Sequence, residues 1–351
     1  MDIGLVNFGT TLSDPNTGHT VTQHERLREV VDGGVLAEQL GFAWYALGEH
    51  HFGESDLISS PAVVLAAIAQ RTSSITLATA TTLVANRDPV LVAEDYATVD
   101  LLSDGRLQLI AGGSFFEEPY VVFDQDPASK PARKRENLEL LVRLWSEERV
   151  TWKGTFRPAL DEVLLQPRLL QDAPPVWVSG GPGPDSAELA VDLGLPMVFG
   201  TIARNPEEHV PTFQRYRELW AERGLPPEAA RTGAASHVFV AESSQEAKSL
   251  WRAYFANYFS RGKLPPGAPR RNVDFDEAIG PHGPAICGSP AEVVDKLGTL
   301  HELWGQDLHL MAIDIGGIPY AKVSRAMELV ASDVIPQVAN LGSDRKAAAR
   351  A

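Results

Sequence analysis

Short apolar runs and amphipathic helical stretches alternate along this chain eight times, and that alternation constrains its fold more than any other feature. The runs are residues 3–8, 43–47, 75–83, 106–113, 175–179, 196–200, 235–241 and 308–315. They are apolar at nearly every position rather than at every second one, which marks strands buried on both faces of a parallel sheet. Between them lie stretches with helical spacing at 23–40, 60–71, 88–102, 132–147, 185–193, 207–222, 244–260 and 320–332, and a further one at 290–303. Pro61 and Pro89 stand at first helical positions, and Gly41 stands just past a helix end. Eight such units predict a closed (β/α)8 TIM barrel spanning residues 1–340 as a single domain, with a polar tail at 341–351. An open doubly wound sheet is disfavoured, because no Gly-x-Gly-x-x-Gly follows the first strand. Insertions are expected after strand four (114–131) and after strand seven (261–285), and residues 150–166 read as a hairpin before strand five.

The second strand turns abruptly polar at Glu49-His50-His51. In a parallel barrel, chemistry sits at the C-terminal strand ends. Three ionisable side chains in a row there are costly to place for packing alone. These three are therefore the candidate catalytic residues, although either histidine also suits a structural bond to a backbone carbonyl. Adjacent histidines on extended backbone point to opposite faces and chelate one ion poorly. With no His-x-x-x-His and no cysteine cluster, no metal site is expected.

Charge and cysteine content exclude other classes. A net charge of −15 argues against a nucleic-acid surface and against an anionic membrane. The one cysteine, Cys287, cannot form an internal disulfide and reads as a buried thiol. No apolar run reaches membrane-spanning length and no signal peptide is visible, so a cytoplasmic protein is expected.

A second candidate site follows strand five, where Ser179-Gly180-Gly181-Pro182-Gly183-Pro184-Asp185-Ser186 runs straight into a helix. Glycines let backbone approach an anion, and a helix N-terminus offers free N–H groups and positive dipole. Gly181, Gly183 and Ser186 are thus candidate phosphate contacts, with Arg135 on the preceding helix as balancing charge. The same loop also fits an ordinary glycine turn capped by Asp185 or Ser186. Strand four ends in Ala111-Gly112-Gly113-Ser114, small enough for a flat ring to lie over the barrel mouth. Thr79, Thr81 and Thr82 on strand three are candidate ring contacts, or simply good strand formers.

Taken together, Glu49-His50-His51-Phe52, Asp100-Leu-Leu-Ser-Asp-Gly-Arg106, Gly194-Leu195-Pro196, Gly288-Ser289-Pro290 and Ser332-Asp333-Val334-Ile335-Pro336 resemble the bacterial luciferase-like flavin-dependent monooxygenases over roughly residues 3–340. The resemblance implies a barrel that takes reduced FMN from a separate flavin reductase and uses O2 to oxidise a small organic substrate. It assigns His50 to catalysis, Ser186 and Arg135 to the phosphate, and residues 261–285 to a loop over the active site. It also places Ala80–Thr81 where the family often has a non-proline cis peptide under the flavin ring. Gly113 and Gly183 stand where luciferase has phosphate-binding side chains, and Gly112 where it has a reactive cysteine, so light emission is not implied. Family relatives that transfer hydride with a deazaflavin supply the alternative chemistry, and a non-catalytic flavin-binding protein is a third reading. Phe8, Trp44, Phe115, Phe116, Tyr120 and Phe239 are candidates to line the mouth around an apolar or aromatic guest. A homodimer through helices two and three is the expected assembly.

Overall fold

The computed structural model describes residues 1–181, 185–202, 204–260 and 274–341. Strand β1 (Asp2–Asn7) leads into helix α1 (Gln23–Gln39), β2 (Trp44–Leu47), α2 (Pro61–Ala69), β3 (Thr76–Thr79), β4 (Thr82–Leu83) and α3 (Pro89–Leu102). Next come β5 (Leu107–Gly112), α4 (Glu118–Val122), α5 (Lys130–Ser146), β6 (Val150–Trp152), β7 (Leu160–Val163), β8 (Val176–Gly180), α6 (Asp185–Asp192), β9 (Met197–Phe199) and α7 (Val210–Glu222). The last third holds β10 (Thr232–Val240), α8 (Ser244–Phe259), α9 (Phe275–Ala278), β11 (Ile286–Gly288), α10 (Pro290–Trp304), β12 (Leu308–Ala312), α11 (Tyr320–Leu329) and α12 (Ile335–Val338).

All barrel pairings are parallel, and the sheet closes on itself through β9–β10, β10–β12 and β12–β1. It is the expected (β/α)8 barrel. Local signals set the helix limits. Thr22 and Glu25 form a reciprocal capping box on α1, Asp88 caps α3, and Gly305 ends α10 in the left-handed conformation. The Asp100–Arg106 motif is scaffold at the strand starts. Arg106 ties the carbonyls of Ala69, Thr72, Ile75 and Ser103 together. The fully buried Asp100 carboxylate accepts from the backbone N–H groups of Leu170 and Gln171.

Three elements differ from the sequence reading. The third strand is not continuous over 75–83 but breaks at a cis Ala80–Thr81 peptide, with β3 and β4 both pairing with β5. Thr79 Oγ1 fills the gap in the ladder, accepting from Ile110 N–H at 3.0 Å. The insertion after β5 carries the short helix α4, and the insertion after α8 carries α9 and a ninth parallel strand, β11, on the outer half of β10. Of the loop expected over the active site, 261–285, residues 261–273 lie outside the described residues, as does the tail from 342. The hairpin at 150–166 is present as β6 and β7, antiparallel.

Packing against other elements explains why some aromatic residues never reach the mouth. Trp44 packs edge-to-face on Trp177 at 5.5 Å. Gly4 has no side chain because a Cβ there would lie 2.6 Å from that of Trp44. Phe239 stacks on Trp251 of α8, and Tyr120 is 1% exposed. These three are buried and do not line the cleft, leaving Phe115 and Phe116 from the expected lining, while Phe8 packs on Gly48 and His50 at its edge. Cys287 is buried, and burial raises its thiol to about 12, out of reach as a nucleophile at neutral pH. Among the described residues, no helix is long and apolar enough to cross a membrane.

Candidate active site

A cleft of about 770 Å³ opens at the C-terminal ends of the barrel strands. One end is built from the turn after β2. Gly48 sits under the ring of Phe8, which a Cβ would meet at 2.5 Å. Glu49 then points back into the protein with a fully buried side chain. One carboxylate oxygen accepts the Leu83 N–H at 3.0 Å, and the other meets His51 Nε2 at 2.8 Å. The Glu49 N–H also donates to the Thr81 carbonyl at 3.3 Å. One carboxylate therefore fixes both the segment around the cis peptide and one histidine ring. Its side chain is fully buried although the residue borders the cleft, so both of its oxygens are held by protein groups.

His50 and His51 both border the cleft, through different environments. His50 packs edge-to-face against Phe8 at 5.5 Å, and its N–H donates to the Ile58 carbonyl at 2.9 Å. His51 is held by Glu49 and sits against Phe52 and Phe123 at 5.7 and 5.2 Å. Among the described residues, no group of three or more His, Cys, Asp or Glu side chains is arranged to hold a metal ion.

The floor between the two ends is small and flat. Ala80 and Thr81 line it; Gly112, expected there, is not among the lining residues, and a Cβ at that position would lie 2.4 Å from Thr81 Oγ1. Of the three candidate threonines only Thr81 faces the cleft. Thr79 is spent on the Ile110 backbone, and Thr82 Oγ1 bonds the buried Tyr96 hydroxyl at 2.7 Å.

The far end is cationic, and two lysines stand there beside the expected Arg135. Lys134 Nζ donates to the Ser179 carbonyl at 2.6 Å and to Ser186 Oγ at 3.3 Å, at the N-terminus of α6. Burial strips water from this ammonium and Lys130 adds like charge, which together lower its pKa to about 8. Lys130 lies one helical turn earlier on α5, beside Gly113, and its pKa is also lowered by burial. Arg135 borders the cleft but is turned to α6, where it pairs with Asp192 at 3.2 Å, and along its own helix to Glu139 at 3.5 Å. Successive helical residues are about 100° apart, so Lys134 and Arg135 border the cleft from different sides of α5. The i, i+4 spacing of Lys130 and Lys134 was the available signal. Gly113, Gly181 and Ser186 lie along this end, and among the described residues nothing stands within 4 Å of a Cβ at Gly181. Gly183 lies outside the described residues. The lip carries exposed Phe115 and Phe116.

Comparison with known proteins identifies the family. The profile of the luciferase-like monooxygenase family matches residues 6–307. The chain is similar to limonene 1,2-monooxygenase of Rhodococcus erythropolis, with 28% identity over 95% of this chain and 87% of the relative. It is also similar to the oxygenase component of the flavin-dependent trigonelline monooxygenase of Acinetobacter baylyi, at 25% over 93% of each chain. The crystal structure of monooxygenase RslO1 from Streptomyces bottropensis superimposes with a TM-score of 0.84 at 28% identity, covering 96% of this chain and 99% of that one. More distant similarities include F420-dependent enzymes. The chain belongs to the luciferase-like monooxygenase family.

Proposed function

We propose that the protein is an FMN-dependent monooxygenase, the oxygenase half of a two-component system, acting on a small apolar or aromatic molecule. The observation that carries this reading is the polarity of the cleft along its length. A two-lysine, serine and helix-N-terminus end faces an imidazole and phenylalanine end, across a floor that includes Ala80, Thr81 and Gly113. FMN has the same polarity, with one phosphate and one large flat ring.

Lys134 fits the phosphate because its ammonium is desolvated and bonded only to neutral oxygens. A dianion there replaces lost solvation with charge-assisted hydrogen bonds. Lys130, Ser186 and the α6 backbone would complete the cradle, and Arg135 would act at longer range. When bound, reduced flavin supplies the electrons that activate O2. The chain's own residues do the rest. Glu49 holds His51 and the floor segment in place. His50, beside the floor, would hold or move the proton that oxygen chemistry requires. The phenylalanine lip favours an apolar guest and limits water. The oxygenase-component status of the trigonelline relative supports delivery of the flavin by a reductase.

A deazaflavin of the F420 type carries a longer, more anionic tail. Asp185 and Glu188 border the phosphate end, which disfavours extra negative charge beyond one phosphate. Equilibrium titration with FMN and riboflavin tests the phosphate assignment. FMN should bind at least about tenfold more tightly, the worth of one charge-assisted contact. Equal affinities would overturn the cradle.

A further inference from the structure

The two loops that carry Phe8 and His50 are locked together, and the lock is set from outside the barrel. Residues on a strand alternate between faces. Asn7, the last residue of β1, points outward toward α1 and Asp314, and Phe8 lies against Gly48 and the His50 ring. Behind Asn7 lies a buried ion pair, with Arg26 of α1 donating to Asp314 at 2.6 Å. Asn7 Nδ2 donates to the same Asp314 oxygen at 3.1 Å and to the Tyr45 hydroxyl at 3.3 Å. That hydroxyl is itself anchored on the Val30 carbonyl at 2.8 Å. With its amide nitrogen so held, Asn7 Oδ1 accepts the Gly9 N–H at 2.8 Å, fixing the turn that carries Phe8.

The turn then grips the loop after β2. Gly9 has φ +61°, and a Cβ there would lie 2.6 Å from Ile58. Ile58 in turn accepts the His50 N–H. Thr11 N–H donates to the Ser55 carbonyl at 2.8 Å, and Thr10 bridges to Asp56. Phe8 itself closes the contact at the His50 ring. We infer that Asn7, held by the Arg26–Asp314 pair, is a positioning residue for His50. The inference rests on the proposed function only where it gives His50 a role in proton handling. The packing claim stands apart from it.

Two readouts separate those parts. The first is the imidazole Cε1–H resonance of His50, assigned with His50→Gln. Asn7→Ala should remove the ring-current shift that Phe8 imposes, as Phe8→Leu does, and Asn7→Ser should restore part of it because a hydroxyl can still accept the Gly9 N–H. The second is peroxide release from reduced FMN and oxygen. Asn7→Ala should change the rate in the same direction as His50→Ala, by up to about a hundredfold for a displaced catalytic group, and should add nothing in the double variant. If Asn7→Ala does not fold, Arg26→Lys, which keeps a cation facing Asp314, should give a smaller resonance shift of the same sign. An unmoved His50 resonance in a folded variant overturns the inference, as does full additivity with His50→Ala. If His50→Ala leaves peroxide release unchanged, the role given to His50 fails, and the resonance alone decides the positioning claim.

Discussion

Lys134 makes cofactor affinity depend on pH in a way that its neighbours do not. Its ammonium loses its proton near pH 8 in the free protein, because burial and then Lys130 lower its pKa. A phosphate dianion binds the protonated form, so bound FMN raises that pKa again. The apparent Kd should scale as one plus ten to the power of pH minus pKa, until the bound-state pKa is reached. Between pH 7 and pH 9 that is about a tenfold weakening, or about 1.4 kcal/mol. The FMN phosphate itself loses its last proton near pH 6 and contributes little across this range. The assay is flavin fluorescence quenching at fixed ionic strength, with riboflavin as the control that lacks the phosphate. Lys134→Gln should weaken FMN by about ten- to a hundredfold at pH 7 and flatten the profile. Lys134→Arg should hold affinity and also flatten it, since guanidinium does not titrate here. A flat wild-type FMN profile from pH 7 to 9, or riboflavin falling in parallel, would refute the reasoning.

Three other perturbations have definite outcomes. Gly112→Ala drives a Cβ into Thr81; overpacking of this kind should cost about 1–3 kcal/mol in urea unfolding and weaken FMN and riboflavin alike. His50→Ala should leave FMN affinity within a few-fold but lower substrate oxygenation by at least about tenfold, measured as product formed per FMN oxidised. His309 is fully buried in the barrel, and burial lowers its pKa from 6.5 to about 3. The unfolded chain therefore binds a proton that the folded one does not, and stability should fall by about 1.4 kcal/mol per pH unit as pH drops from 6.5 toward 3. His309→Gln should remove that slope from the unfolding profile, and an unchanged slope would show that another group titrates.

The strands and helices were legible because their signals are local. Prolines, caps and unbroken apolar runs fixed most limits to within a few residues, as with Thr22, Pro61 and Asp88. The break at Ala80–Thr81 could not be read from Ile75–Leu83 itself, since the apolar and threonine pattern runs through it. It was expected only because the chain resembled a family. Glu49, His50 and His51 were found together because a polar cluster at a strand end is conspicuous. Their division of labour was not legible, because it depends on the Leu83 N–H arriving from another strand. Lys130 and Lys134 were missed beside Arg135 because charge was read without helical phase. The exclusion of Trp44, Tyr120 and Phe239 from the mouth depends on side-chain direction, which strand boundaries good to a residue or two do not fix.

The central claim is that the cleft takes reduced FMN and uses oxygen. The most direct test is anaerobic titration with reduced FMN and, separately, with a reduced deazaflavin, followed by admission of oxygen while flavin absorbance is recorded. The account predicts tighter binding of reduced FMN and an oxygen-dependent spectral change slower than that of free flavin. Preferential binding of the deazaflavin, with no change on adding oxygen, would contradict it and make the protein a hydride-transfer enzyme on the same barrel.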